Sequence, residues 1–124
     1  MKYLLDTNIC IYLLKHQPKA VVAKFASCEI GDVGISAITW AELLRGCDVH
    51  EPKSAFDKLR SLVPVVPFDE KASVAFAKLL QSYPHKPSFD TLIAAHAKSL
   101  GLVVVTNNPS DFRHFDVIVE NWVE

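Results

Sequence analysis

The sequence predicts an α/β fold, a mostly parallel sheet with helices packed on both of its faces. Two observations carry this. Short runs of aliphatic and β-branched residues alternate along the chain with stretches of helical periodicity, the pattern of successive βαβ units. One of those runs, Leu102-Val103-Val104-Val105, has no polar alternation, so it reads as a strand buried on both faces, as strands of parallel sheets are.

Taken in order, Lys2–Leu5 is the first strand, and "TNICIYLLKH" is a helix with Thr7 or Asn8 as its natural N-cap. Pro18 suits the first turn of a second helix, "PKAVVAKFASC". Asp32–Ser36 is the second strand, and Thr39 is placed to cap "WAELLRGC". Pro52 opens "PKSAFDKLRSLV". "VPVVPF" is a third strand whose prolines, Pro64 and Pro67, put it at a sheet edge. Asp69 caps "EKASVAFAKLLQSY". "FDTLIAAHAKSLG" closes on Gly101, which supplies a helix C-terminus. "LVVVT" and "VIVE" (Val117–Glu120) are the fourth and fifth strands.

With 124 residues, one domain is expected, with chain enough to bury a core. A hydrophobic fraction of 50% with 22% charged residues is the profile of a globular protein, and no low-complexity tract argues for disorder. No run of about 18 apolar residues is present. The apolar N-terminal run is broken by Asp6 and lacks a small-residue cleavage site, so no membrane association and a cytoplasmic location are expected. The three cysteines, Cys10, Cys28 and Cys47, are widely spaced and form no C-x-x-C pair, so they read as reduced, half-buried thiols. The histidines lack zinc-site spacing. A formal net charge of −1 excludes a protein that grips a polyanion by bulk charge. Such a partner would need a local basic surface, a bound cation or a second subunit.

The chemistry lies in the acids. In open parallel sheets, functional groups collect beyond the carboxyl ends of the strands. Asp6 directly follows the first strand, Glu42 is expected in the first turn of the helix after the second, and Asp111 lies just past the fourth. Asp90 opens a helix that must start at the same edge to feed the fourth strand. The preceding helix ends at the far edge, and "PHKPS" with a neighbour, about six extended residues reaching roughly 20 Å, just spans the return. Each acid also has a plain local role. Thr39-x-x-Glu42 fits a capping box, Asp111 suits a helix start after Asn108-Pro109, Asp90 could cap after Ser88, and Asp6 could cap the first helix. Those roles do not account for all four converging on one edge.

Carboxylates brought together must share protons or a cation. Oxygen donors without Cys or His select a hard ion, Mg²⁺ or Mn²⁺, whose ordinary chemistry with such ligands is phosphodiester hydrolysis. Thr7, Asn8, Ser36, Thr39 and Thr106 stand beside the acids as supporting polar groups, and Arg45, one turn from Glu42, as a phosphate contact or a solvated side chain. Lys15, Lys19 and Lys24 read as a solvated face. His96, Trp40 and Trp122 read as packing residues. A phosphoryl-aspartate protein using Asp6 is disfavoured by D-T-N in place of D-x-D, and a non-catalytic binding module is the remaining alternative.

The segments "LLDTNICIYLL", "ISAITWAELLRG", "PFDE", "FDTLIAAHAKSLGL", "VVTNNPSDF" and "VENW", in this order, resemble PIN-domain ribonucleases of the VapC toxin type over essentially the whole chain. The resemblance implies a three-layer α/β/α sandwich with a five-stranded, mostly parallel sheet, formed by a single nuclease domain over residues 1–124. It implies a Mg²⁺- or Mn²⁺-dependent endoribonuclease, the toxin of a bacterial toxin–antitoxin pair, dimeric and silenced by a VapB-type antitoxin. Structured RNA such as initiator tRNA is the substrate expected at family level. The family's acidic positions match Asp6, Glu42 and Asp90, and a fourth falls on Asp111 or near Asn108. One departure is visible. Relatives carry a longer helix and a "G-R-P-I-G"-like loop before the equivalent of Asp90, which is contracted here to "QSYPHKPSFD".

Overall fold

The structure, a computed structural model, describes residues 1–47, 49–84 and 86–123. Along the chain run β1 (Tyr3–Leu5), α1 (Thr7–Leu14), α2 (Lys19–Ala26), β2 (Val33–Ser36), α3 (Ala37–Leu44), α4 (Lys53–Leu62), β3 (Val65–Val66), α5 (Glu70–Ser82), α6 (Phe89–Leu100), β4 (Val103–Val105) and β5 (Val119–Glu120). Two short 3-10 turns, Pro109–Asp111 and Arg113–Phe115, join β4 to β5. The strands form one five-stranded sheet in the order β3-β2-β1-β4-β5, and every pairing is parallel. The α/β architecture is the one expected, with β3 and its flanking prolines at an edge. Among the described residues, no helix is long and apolar enough to cross a membrane.

Side chains alternate across a strand, and the two central strands therefore feed two cores. Leu5 and Val105 pack with Ile9, Leu13, Val21, Ile35, Phe56 and Leu59 under α1–α4. Leu4 and Val104 pack with Leu79, Ile93, Ala94, Ala97 and Phe112 under α5 and α6. All four strand residues have no solvent exposure, as the unalternating "LVVVT" run predicts.

The predicted caps hold at Asp69, whose carboxylate accepts the Ala72 N–H, and at Gly101, which ends α6 in the left-handed conformation at φ 67°. At α1 the sequence offers Thr7 or Asn8 as the cap and Asp6 as an alternative, and the structure takes Asp6, whereas at α3 the cap departs from the sequence reading. Asp6 itself, rather than Thr7 or Asn8, caps α1, its Oδ1 accepting the Thr7 N–H at 2.8 Å. Ser36, rather than Thr39, caps α3, its hydroxyl accepting the Ile38 N–H at 3.1 Å. The physical reason is that β2 runs into α3 with no loop, so its last residue is also the cap. Thr39 then lies inside the first turn, fully buried, and Glu42 falls in the second turn rather than the first. Glu42 therefore has no part in an N-terminal capping box. Before α6, Ser88 and Thr91 form such a box, leaving Asp90 free of capping duty. His85, in the segment expected to return the chain to the start of α6, lies outside the described residues.

The three cysteines are free thiols, Cys10 buried and the others partly buried. The two tryptophans pack, Trp40 edge-on to Phe56 and Trp122, nearly buried, edge-on to Tyr3.

Candidate active site

Parallel strands end at a common edge, and the residues that follow β1, β2 and β4 meet there. Asp6 is fixed first. Its N–H donates to the Val105 carbonyl at 2.8 Å, which keeps it tied to the sheet one residue past β1. Its Oδ1 takes the Thr7 N–H at 2.8 Å and its Oδ2 takes the Thr106 hydroxyl at 2.9 Å. Thr106 is held by its own N–H on the Glu120 carbonyl of β5. Because Asp6 caps α1, the Thr7 hydroxyl is left to donate to Glu42 Oε1 at 2.8 Å, joining α1 to α3. Asp6 is 7% exposed, and Thr106 is fully buried.

Electrostatics ties the four acids together. Burial raises the Asp6 carboxyl above its ordinary value and Asp111 adds to the rise, against the Thr106 and Thr7 hydrogen bonds. Glu42 is raised by burial and by Asp6, against the Thr7 hydroxyl and the charge of Arg45. Asp90 is raised most visibly, to about 6, by burial and then by Asp6, Asp111 and Glu42. It sits in the first turn of α6, where the helix dipole favours a negative charge, so burial and like charge outweigh the dipole. The Cys10 thiol, buried beneath the site, is pushed up by burial and by Asp6, which makes it an inert neighbour.

The acids do not form a finished cage. Among the described residues, no three Asp, Glu, His or Cys side chains stand close enough together to hold a bare metal ion by themselves. The carboxylates of Asp90 and Asp111 accept no hydrogen bond from any described residue. Mutually repelling, partly unpartnered carboxylates fit a hard ion that keeps several waters and takes only one or two protein carboxylates directly. A zinc-type site, closed by four protein ligands, does not fit this donor set.

The other polar residues expected at the site divide. Thr7 and Thr106 touch the acids. Ser36 does not: its hydroxyl caps α3 and meets His96 Nδ1 at 2.8 Å. Thr39 Oγ1 is, among the buried side-chain polar atoms of the described residues, alone in lacking a hydrogen-bond partner. Asn8 reaches Asn107 Oδ1 at 3.4 Å, and the Asn108 N–H caps the Thr106 hydroxyl at 3.1 Å. Arg45, exposed at the end of α3, acts on Glu42 through its charge. Sequence reading missed Asn107, which donates to the Tyr12 hydroxyl at 2.9 Å and accepts from Asn8 and Asn108. This hub pins the loop after β4 onto α1. The "TNN" triplet was its visible signal, but its partner lies 95 residues away.

The raised acids have a measurable consequence. The folded protein keeps a proton on Asp90 between about pH 4, where the unfolded carboxyl ionises, and about 6. A raised carboxyl favours the folded state below its unfolded value, and that advantage is lost as pH rises through the folded value. In EDTA, the acid cluster is therefore expected to weaken the fold progressively across pH 4 to 6 and fully above it. Mg²⁺ should raise the melting temperature clearly at pH 7.5 and hardly at pH 4.5. Thermal melts with and without Mg²⁺ check this. Equal gains at both pH values would mean that the ion binds elsewhere.

The PIN domain family model matches residues 3–118. The chain is 33% identical to the tRNA(fMet)-specific endonuclease VapC of Shigella flexneri, over 98% of both chains, and 32% identical to ribonuclease VapC2 of Haemophilus influenzae, over 99% of both. Both alignments run over 132 positions, more than the 124 residues here, so these relatives carry residues that this chain lacks. Among solved structures, it superposes on a DNA-bound VapBC from Salmonella typhimurium with a TM-score of 0.84 at 30% identity, covering 98% of each chain. It superposes on VapBC2 from Rickettsia felis, bound to a promoter DNA fragment, with a TM-score of 0.82 at 28% identity, covering 98% of this chain and 99% of that one.

Proposed function

The chain belongs to the PIN-domain family, and from that premise we propose that it is a metal-dependent endoribonuclease acting as the toxin of a toxin–antitoxin pair. The observation that carries this reading is the meeting of four acids from four separate segments at one sheet edge, where Asp6, Glu42 and Asp90 are each raised by burial first and by one another's or Asp111's charge after it. Asp6, Glu42 and Asp90 are the proposed holders of Mg²⁺ or Mn²⁺, one or two of them directly and the rest through bound water, with Asp111 as the fourth acid of the site. A divalent ion bound there neutralises charge at a phosphate and makes a nearby water more acidic.

The chain's own residues do the rest. Thr106 and the Thr7 N–H hold the Asp6 oxygens in one orientation, and the Thr7 hydroxyl does the same for Glu42. The carboxylates of Asp90 and Asp111 take no hydrogen bond from the described residues, so their oxygens stay open to an ion or to water. With no ion bound, the acids would repel a phosphodiester backbone, so their charge must be offset before a strand can settle there.

The partners follow from the relatives. Solved neighbours are VapBC complexes, which supports a VapB-type antitoxin as the silencing partner. A homodimer of this single domain in the bacterial cytoplasm is part of the same proposal. Transfer RNA is the first substrate to test, because a full-length relative is named a tRNA(fMet)-specific endonuclease. Purified protein is expected to cut RNA internally with Mg²⁺ or Mn²⁺ and not in EDTA, and its expression to arrest bacterial growth unless an antitoxin is co-expressed. Cleavage that persists in EDTA, or intact RNA with either ion, would defeat the proposal.

A further inference from the structure

The acid site opens on one side into a cleft of about 530 Å³ lying between α1, α3 and the start of α4. Thr7 and Glu42 are lining residues of the cleft and members of the acid site, so the two are continuous. The floor is apolar, formed by Leu14, Leu43 and Phe56. The rim carries Lys15 and Arg45, with His50 and one further acid, Glu51. Lys15 ends α1 and Arg45 ends α3, so the two helices place both cations on the same cleft.

A nucleotide is a flat base with apolar faces attached to a charged phosphate. Floor and rim match its two halves, and the volume lies within the range of pockets that bury one small ligand. Lys15 and Arg45 stand against two acids in the lining, Glu42 and Glu51, so the cations restrict where a strand can lie rather than make the cleft basic. The whole chain carries a formal net charge of −1 and its acid edge repels a polyanion, so a strand needs local cations beside the acids to approach at all.

We propose that this cleft seats the nucleotide next to the scissile phosphate, and that the RNA strand leaves the acid site over α1 and α3 with Lys15 and Arg45 paired to its backbone. The proposal rests on the ribonuclease reading and gives it a direction. Lys15, expected from sequence to be one of a solvated face, thereby acquires a role with Arg45.

Equilibrium binding of a fluorescent single-stranded RNA to full-length Asp6→Asn protein tests it without depending on hydrolysis. Lys15→Ala and Arg45→Ala, each added to that background, should weaken binding about tenfold at low salt. Each should also reduce the slope of log affinity against log salt by about 0.7, the share of one single-strand phosphate contact. Lys78→Ala, on the outer face of α5, should leave both quantities unchanged. Unchanged affinity and slope in the Lys15 and Arg45 variants would overturn the proposal. So would variants that keep full RNA affinity but lose binding to a co-purified antitoxin, which would assign the cleft to a protein segment. Failure of hydrolysis by the wild-type chain is read separately, in the cleavage assay, and concerns the ribonuclease reading alone.

Discussion

Asp6→Asn is expected to reduce RNA cleavage by on the order of 10³-fold, about 4 kcal/mol of barrier, while leaving the fold at least as stable as before. The loss follows from charge. The substitution keeps the shape of the side chain but removes the buried negative charge that Asp90 and Glu42 both sense. A cation shared among the acids would lose its most deeply fixed oxygen ligand. The retained stability follows from the same facts. Asparagine caps a helix as well as aspartate, so the Thr7 N–H keeps its acceptor, while the Thr106 hydroxyl must turn to accept from the new amide instead of donating. A desolvated charge and its repulsions disappear, which should hold or raise the melting temperature in EDTA. Sites built from destabilising groups commonly show this exchange of function against stability. Steady-state cleavage and thermal melts of the same preparation check both halves. Cleavage within tenfold of wild type would remove Asp6 from the chemistry, and a large fall in melting temperature would make its role structural.

His96→Ala is expected to cost about 3–5 kcal/mol of stability, the range for emptying an aromatic-sized core position. His96 is 1% exposed on α6, its ring edge-on to Phe68 at 5.2 Å and its Nδ1 2.8 Å from the Ser36 hydroxyl. Burial holds the ring below its ordinary value, against Asp69 and the Pro67 carbonyl, which favours the neutral ring with a bare nitrogen for the Ser36 hydrogen. Ser36 in turn caps α3. One imidazole therefore ties the helix bearing Asp90 to the cap of the helix bearing Glu42. Truncation leaves a void and strips the Ser36 hydroxyl of its acceptor. His96→Asn, which can keep an acceptor near the Nδ1 position, should recover part of the loss. Urea unfolding measures this as a shift in midpoint with little change in slope. A loss under about 1 kcal/mol would mean that the two helices are aligned by other contacts.

Much of this arrangement is legible in the sequence, for reasons that can be named. Asp6 stands out because an apolar strand stops where polar residues begin. Asp90 is placed by connectivity, since its helix must start at the edge where β4 will end. Asp69 and Gly101 obey local rules, and local rules act over a few residues. What escaped reading depends on distant pairing. Ser36 and Thr39 are equally good caps by sequence, and only the absence of a loop after β2 decides between them. The Asn107–Tyr12 and His96–Ser36 contacts bridge 95 and 60 residues. No periodicity reports such partners. Glu42 lies a turn deeper than expected because α3 starts earlier, yet it still reaches the site through Thr7.

The position of β1 between β2 and β4 has a consequence in time rather than space. Asp6 is made 100 residues ahead of Thr106, its hydroxyl partner, and its backbone partner is Val105. Until those residues emerge, the strand that carries Asp6 has no neighbour on its β4 side. The acid edge is thus assembled only once β4 has emerged, and a chain interrupted before residue 105 lacks the contacts that fix Asp6.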